Sequence, residues 1–294
     1  MRKILLATTA IIALSSASAM AADVTISGSG SLIIKNDGNN SAGGGSMDAE
    51  QDFSVNFSNT TDNGLTTTAS FALDENIEGT GYDGMAWTLG GDFGTLKVTP
   101  GDNGDAEPSS NYVAAMDDNA NFAAEGTDIT PDILGNARGD SGAVIGYALP
   151  SVMDGLSIVM EHGSDHFGLG ATMGVGPATI KAAQIKGSET DGSSMSLVMG
   201  VAGVTLGYEQ NKTESGSTET EGKQIGAKYT MDGVTIAYEA GDLKENNTKT
   251  NDFSQIAVSY TIAPGISTVL TTSETNPVSG SAVDETEVQI KVSF

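Results

Sequence analysis

The chain has 294 residues, 38 acidic against 13 basic side chains, a formal charge of −25 and no cysteine. The missing thiols remove disulfide scaffolds, thiolate zinc sites and cysteine nucleophiles together, and the acidity excludes nucleic acid, whose phosphates need a basic surface. Its 38 glycines, set among alternating Val, Ile, Leu and Tyr, argue for turns and short strands over a disordered acidic chain.

Residues 1–21 read as an export signal. Arg2 and Lys3 precede an apolar run from Ile4 to Leu14, and small residues lead to Ala19-Met20-Ala21, the n-region, h-region and cleavage site of a secreted precursor. Cleavage after Ala21 removes two positive charges and takes the formal charge of the 22–294 chain to −27. Beyond that point no stretch approaches the roughly 18 apolar residues of a membrane helix, so any membrane crossing is made by strands.

From the cleavage site onward, period-two alternation predicts short strands. Val24, Ile26, Gly28, Gly30, Leu32 and Ile34 share one face, while Thr25, Ser27, Ser29, Ser31 and Lys35 fill the other. The alternation returns at Phe53 to Phe57, Leu65 to Leu73, Met85 to Leu89, and Leu96 to Val98. It continues over 142–149, 156–162, 166–174, 178–186, 193–201, 203–211, 222–231, 234–243, 252–262, 266–274 and 285–294. Sixteen strands result, each oily on one face and wet on the other.

The connections alternate in length. Short turns carry Thr61-Asp62-Asn63-Gly64, Gly91-Asp92-Phe93-Gly94, Met153-Asp154-Gly155, Gly174 to Pro177, Val201 to Gly203, Met231-Asp232-Gly233 and Ala263-Pro264-Gly265. Between them the reading places longer polar connections at 36–50, 75–82, 100–140, 187–192, 212–221, 244–251 and 275–284, with Gly163 to Asp165 as a short member of the set. A transmembrane antiparallel β-barrel predicts this asymmetry, with short turns at the periplasmic end and longer loops outside. About sixteen strands leave a water-filled lumen rather than a packed interior. At the C-terminus, Val288, Ile290, Val292 and Phe294 alternate with Gln289, Lys291 and Ser293, so the last strand ends on an aromatic.

These features resemble the general outer-membrane porins of alphaproteobacteria. The resemblance is carried by Asp23-Val24-Thr25-Ile26-Ser27-Gly28-Ser29-Gly30, by the Thr61-Asp62-Asn63-Gly64-Leu65 turn, by Gly90 to Val98 with its glycine-framed aromatic turn, and by Phe294. It implies a homotrimer of sixteen-stranded barrels in outer-membrane lipid, with Phe294 as a C-terminal assembly signature. It also implies that the third extracellular loop, here 100–140, folds into the lumen as a constriction. The family's arginine cluster on the constriction wall has no counterpart, since Arg138 is the one arginine after the signal segment.

The candidate site follows from parity and from that loop. The loop carries Asp102, Asp105, Glu107, Asp117, Asp118, Glu125, Asp128, Asp132 and Asp140 against Arg138, an acidic eyelet. Within the strands, Lys97, Lys181, Lys228 and Lys291 fall on the face opposite their apolar neighbours, as do Glu161, Glu209 and Glu239, which makes them the lumen wall. No cofactor is required. The loop carboxylates are candidate Ca²⁺ or Mg²⁺ ligands, because hard cations take oxygen, although Asp102-Asn103-Gly104-Asp105 lacks the spacing of an EF-hand loop. Tyr147, Tyr229, Tyr260 and Phe294 lie near short turns and Tyr208 and Tyr238 near long ones, as two interfacial girdles require.

The expected function is passive diffusion of small hydrophilic solutes and ions, with a preference for cations. The competing readings are a surface adhesin or structural protein, which would show a fixed short repeat that the chain lacks, and an outer-membrane hydrolase built on His162 or His166 beside Glu161 and Asp165. The histidines read as two exposed polar residues before they read as a metal pair.

Overall fold

The computed structural model describes residues 23–37, 45–76, 79–99 and 143–294. The signal segment 1–21 and the connection 100–140 lie outside them. Alternating sequence becomes strand throughout: β1 (Asp23–Asp37), β2 (Gly45–Thr60), β3 (Thr66–Asn76), β4 (Gly79–Gly91), β5 (Gly94–Thr99), β6 (Val144–Ala148), β7 (Leu156–His162) and β8 (His166–Val175). The second half contributes β9 (Ala178–Gly187), β10 (Thr190–Val201), β11 (Val204–Ser215), β12 (Thr218–Met231), β13 (Val234–Glu245), β14 (Thr248–Ala263), β15 (Ile266–Pro277) and β16 (Val283–Ser293). Each strand pairs antiparallel with its sequence neighbours, and β16 returns to β1, closing a barrel of sixteen strands. Closure leaves no open edge, the condition for strands to cross a bilayer.

The burial pattern inverts that of a soluble sandwich. Ile26, Ile225 and Ile256 are more than half exposed, at 60%, 58% and 53%, while Glu161, Glu209 and Gln255 are each 1% exposed. Most large apolar side chains face out because lipid is the outer solvent, and the polar ones face the interior of the cylinder beside a few buried apolar residues such as Ile33, Ile185 and Phe253. Two of the tight turns show why their residues were chosen. Ala202-Gly203 and Asp232-Gly233 both take positive φ (50° and 82°, 51° and 80°), the type I′ geometry whose twist matches flanking antiparallel strands.

Strand lengths differ from the sequence expectation at the far end of the barrel. The polar segments 212–221 and 244–251 are not loops; β11 and β12 run to within two residues of one another, as do β13 and β14, where Asn246 and Asn247 form the turn with φ of 49° and 62°. Most of 187–192 is likewise strand, and β2 begins at Gly45, inside the expected 36–50 connection. The physical reason is common to all. Above the lipid both faces are wet, so hydrophobic alternation stops while ladder hydrogen bonding continues.

The seam between first and last strands depends on one small residue. The Gly28 and Phe294 main chains exchange two N–H···O bonds of 3.0 Å, and a Cβ at Gly28 would lie 2.7 Å from the Phe294 ring. The terminal aromatic lies across the glycine, on the lipid face of β1.

Candidate functional site: the lumen wall

Register fixes which side chains line the interior. On β2, Asp48, Glu50 and Asp52 alternate with Met47, Ala49, Gln51 and Phe53 and oppose Ile33, Ser31 and Ser29 of β1. They form a carboxylate ladder with a rise of roughly 7 Å per step. Ser29 Oγ donates to Asp52 Oδ2 at 2.8 Å. Beside this ladder, Lys35 meets Glu287 at 3.1 Å across the closure seam, and Lys291 stands opposite Ser31.

Lys97, Lys181, Lys228 and Lys291 carry lumen parity, as do Glu161, Glu209 and Glu239. Lys97 of β5 opposes Gly146 of β6, which in turn opposes Glu161 of β7, so one lateral row puts the two charges on either side of a residue without a side chain. A second row runs Lys181, Ser196, Glu209 and Gln224 across β9 to β12. Asn211 Nδ2 donates to Glu209 Oε1 at 2.7 Å, and Glu239 faces Gln255 across β13 and β14. Small residues at Gly207, Gly226 and Gly241 separate these larger polar groups.

One of the two histidines departs from expectation. His162 is exposed and pairs with the lipid-facing Phe167, whereas His166 is buried, has lumen parity and places Nε2 3.3 Å from Glu161 Oε1. The Gly163 to Asp165 connection shifts parity, so residues four apart point to opposite faces. That removes the i, i+4 metal pair, and among the described residues no group of three or more His, Cys, Asp or Glu is spaced to hold a metal. Asp102, Asp105, Glu107, Asp117, Asp118, Glu125, Asp128, Asp132, Arg138 and Asp140 lie outside the described residues.

Sequence reasoning missed the ladder of Asp48, Glu50 and Asp52, together with Glu285 and Glu287, because their segments were assigned to connections or read only for their apolar face. Extending the Phe53, Val55, Phe57 parity backward through Met47 and Ala49 would have found the ladder.

A closed sixteen-stranded barrel with an apolar exterior and a charged, amide-rich interior defines a transmembrane channel of the outer membrane. The chain belongs to the Gram-negative porin family, whose model matches residues 7–291. No curated protein matches the chain. Among solved structures, an engineered variant of the Rhodopseudomonas blastica porin is similar at a TM-score of 0.68 and 13% identity, covering 92% of this chain and 100% of that one. A loop-deleted OmpT from Vibrio cholerae is similar at 0.71 and 9%, covering 93% and 100%. At such identities the likeness is one of fold.

Proposed function

We propose that the lumen passes small hydrophilic solutes and ions down their gradients and favours cations. The observation that carries this reading is the charge of the inward face. Asp48, Glu50, Asp52, Glu161, Glu209, Glu239, Glu285 and Glu287 stand against Lys35, Lys97, Lys181, Lys228 and Lys291. A wall with excess carboxylate inside a low-dielectric cylinder concentrates cations and repels anions. The acidic 100–140 connection, folded inward, is the constriction of this reading and adds to the same sign of charge. It joins β5 to β6, the two shortest strands among the described residues. Association as a homotrimer, implied by the family resemblance, completes the reading.

Planar-bilayer recording of the folded protein under a salt gradient tests it. Stepwise conductances with a reversal potential of cation-selective sign are expected. Folded, heat-modifiable protein that opens no conductance would show a closed barrel, and an anion-selective potential would overturn the charge argument.

A further inference from the structure

Two glycines make room around Glu161. It opposes Gly146 on one side and Gly168 on the other, and the row continues to Lys97 beyond Gly146 and to Ile185 beyond Gly168. No Cβ from either neighbouring strand stands beside the carboxylate. His166, two residues before Gly168 on β8, reaches it diagonally and places Nε2 3.3 Å from Oε1, with both side chains 0% exposed.

The inward positions nearest the pair are apolar. Val144 lies two residues from Gly146, Val159 two residues from Glu161, and Ile185 pairs with Gly168; all three are buried. The main chain at His166 is held without its ring, since Gly163 N–H donates to the His166 carbonyl at 3.1 Å and His162 Nδ1 lies 3.1 Å from the same oxygen.

Other charged and titratable groups sit on the elements around the pair. On β7, His162 carries the outward parity of Ile145. Asp165, the residue before His166, accepts from Ser164 Oγ at 3.1 Å. On β9, Lys186 faces outward and pairs with Asp191 of β10, and Lys181 lies six residues along from Gly187, which opposes His166. Glu189 lies in the turn from β9 to β10.

We propose that the Glu161–His166 pair is a proton-operated charge in the lumen wall, which lowers the preference for cations as the bath is acidified through the imidazole range. It rests on the channel reading above. Imidazole changes its charge between pH 5 and pH 8, where ordinary carboxylates stay ionised and ordinary lysines stay protonated, so a proton taken up by the pair there is separable from the rest of the wall. With the imidazole neutral, the pair carries the negative charge of Glu161. With imidazolium formed against the carboxylate, its net charge is zero. The wall therefore loses one negative charge on acidification, and the ratio moves toward anions. Apolar neighbours screen that change poorly, so it acts across the lumen.

The test records the reversal potential of the folded protein under a fixed salt gradient in wild type, H166Q and H162Q. The cation-to-anion permeability ratio of wild type and of H162Q is expected to fall by about 1.5-fold from pH 8 to pH 5, and that of H166Q to stay level. A second measurement needs no conductance. The chain has two histidines, so untagged H162Q protein labelled with 15N-histidine reports His166 alone, and its ring-nitrogen shifts are expected to move through a one-proton transition inside the same window. A level wild-type ratio, an equal fall in H166Q, or nitrogen shifts that do not move would overturn the proposal and leave the channel in place. Folded protein that opens no conductance would overturn the channel reading and this proposal with it.

Discussion

Gly241 shows how much a single missing side chain does in this wall. It has lumen parity on β13, between Gln224 and Phe253, and Phe253 is buried with its ring across the glycine. A Cβ placed there would run into both the Lys223 carbonyl and the Phe253 ring. The ring can rotate away and the carbonyl cannot. Gly241→Ala is therefore expected to destabilise the barrel by about 1–3 kcal/mol, read as a lower temperature for loss of the heat-modifiable form. Adding Phe253→Ala should not restore it. Full rescue by the double variant would show that the ring alone set the constraint. The histidines teach the complementary lesson at this scale. Parity is a rule within one strand, and the connection between His162 and His166 breaks it, so two residues of one type in one short stretch reach different solvents.

Among the elements, what was legible was the part of each strand that touches lipid. Leu206 and Tyr208, or Ile236 and Tyr238, announce a strand because alternate positions meet hydrocarbon. Lys212 to Glu221 announces nothing, because water lies on both sides, and the segment reads as a loop although it is a hairpin with a two-residue tip. Lys212 bridges that tip, 2.8 Å from Glu214 and 2.9 Å from Glu219. The hydrogen bonds that Lys212 donates to Glu214 and Glu219 raise its pKa above the ordinary lysine value, with the charges of the two carboxylates adding to them. A value raised on folding favours the hairpin fully at pH below about 10.4, the unfolded lysine range. That contribution is lost only as pH climbs through the raised value. Amide-exchange protection at the β11–β12 tip, corrected for the intrinsic rate, is therefore expected to stay constant from pH 6 to pH 9. Protection that decays within this window would assign the tip's order to something other than the lysine.

For the whole molecule, sixteen alternating segments predict a closed cylinder, because an even number of antiparallel strands with one lipid-facing side has no other way to satisfy its edge groups. The charge pattern of the lumen was only partly legible, since parity placed Lys97 and Glu161 but the acidic ladder lay in a stretch read as a loop. That ladder makes the proposed cation preference depend on screening. Sixteen tilted strands at about 4.8 Å spacing enclose a backbone cylinder roughly 30 Å across, narrowed by side chains. The screening length is about 3 Å in 1 M salt and about 10 Å in 0.1 M. In concentrated salt the field of Asp48, Glu50 and Asp52 dies within a side chain's length of the wall, and ions on the axis do not sense it. In dilute salt it reaches most of the cross-section. The cation-to-anion permeability ratio is therefore expected to rise as the bath is diluted from 1 M to 0.1 M, and the rise to shrink in D48N/E50Q/D52N. A ratio independent of salt in wild type would place selectivity at a short-range binding site rather than in the field of the wall.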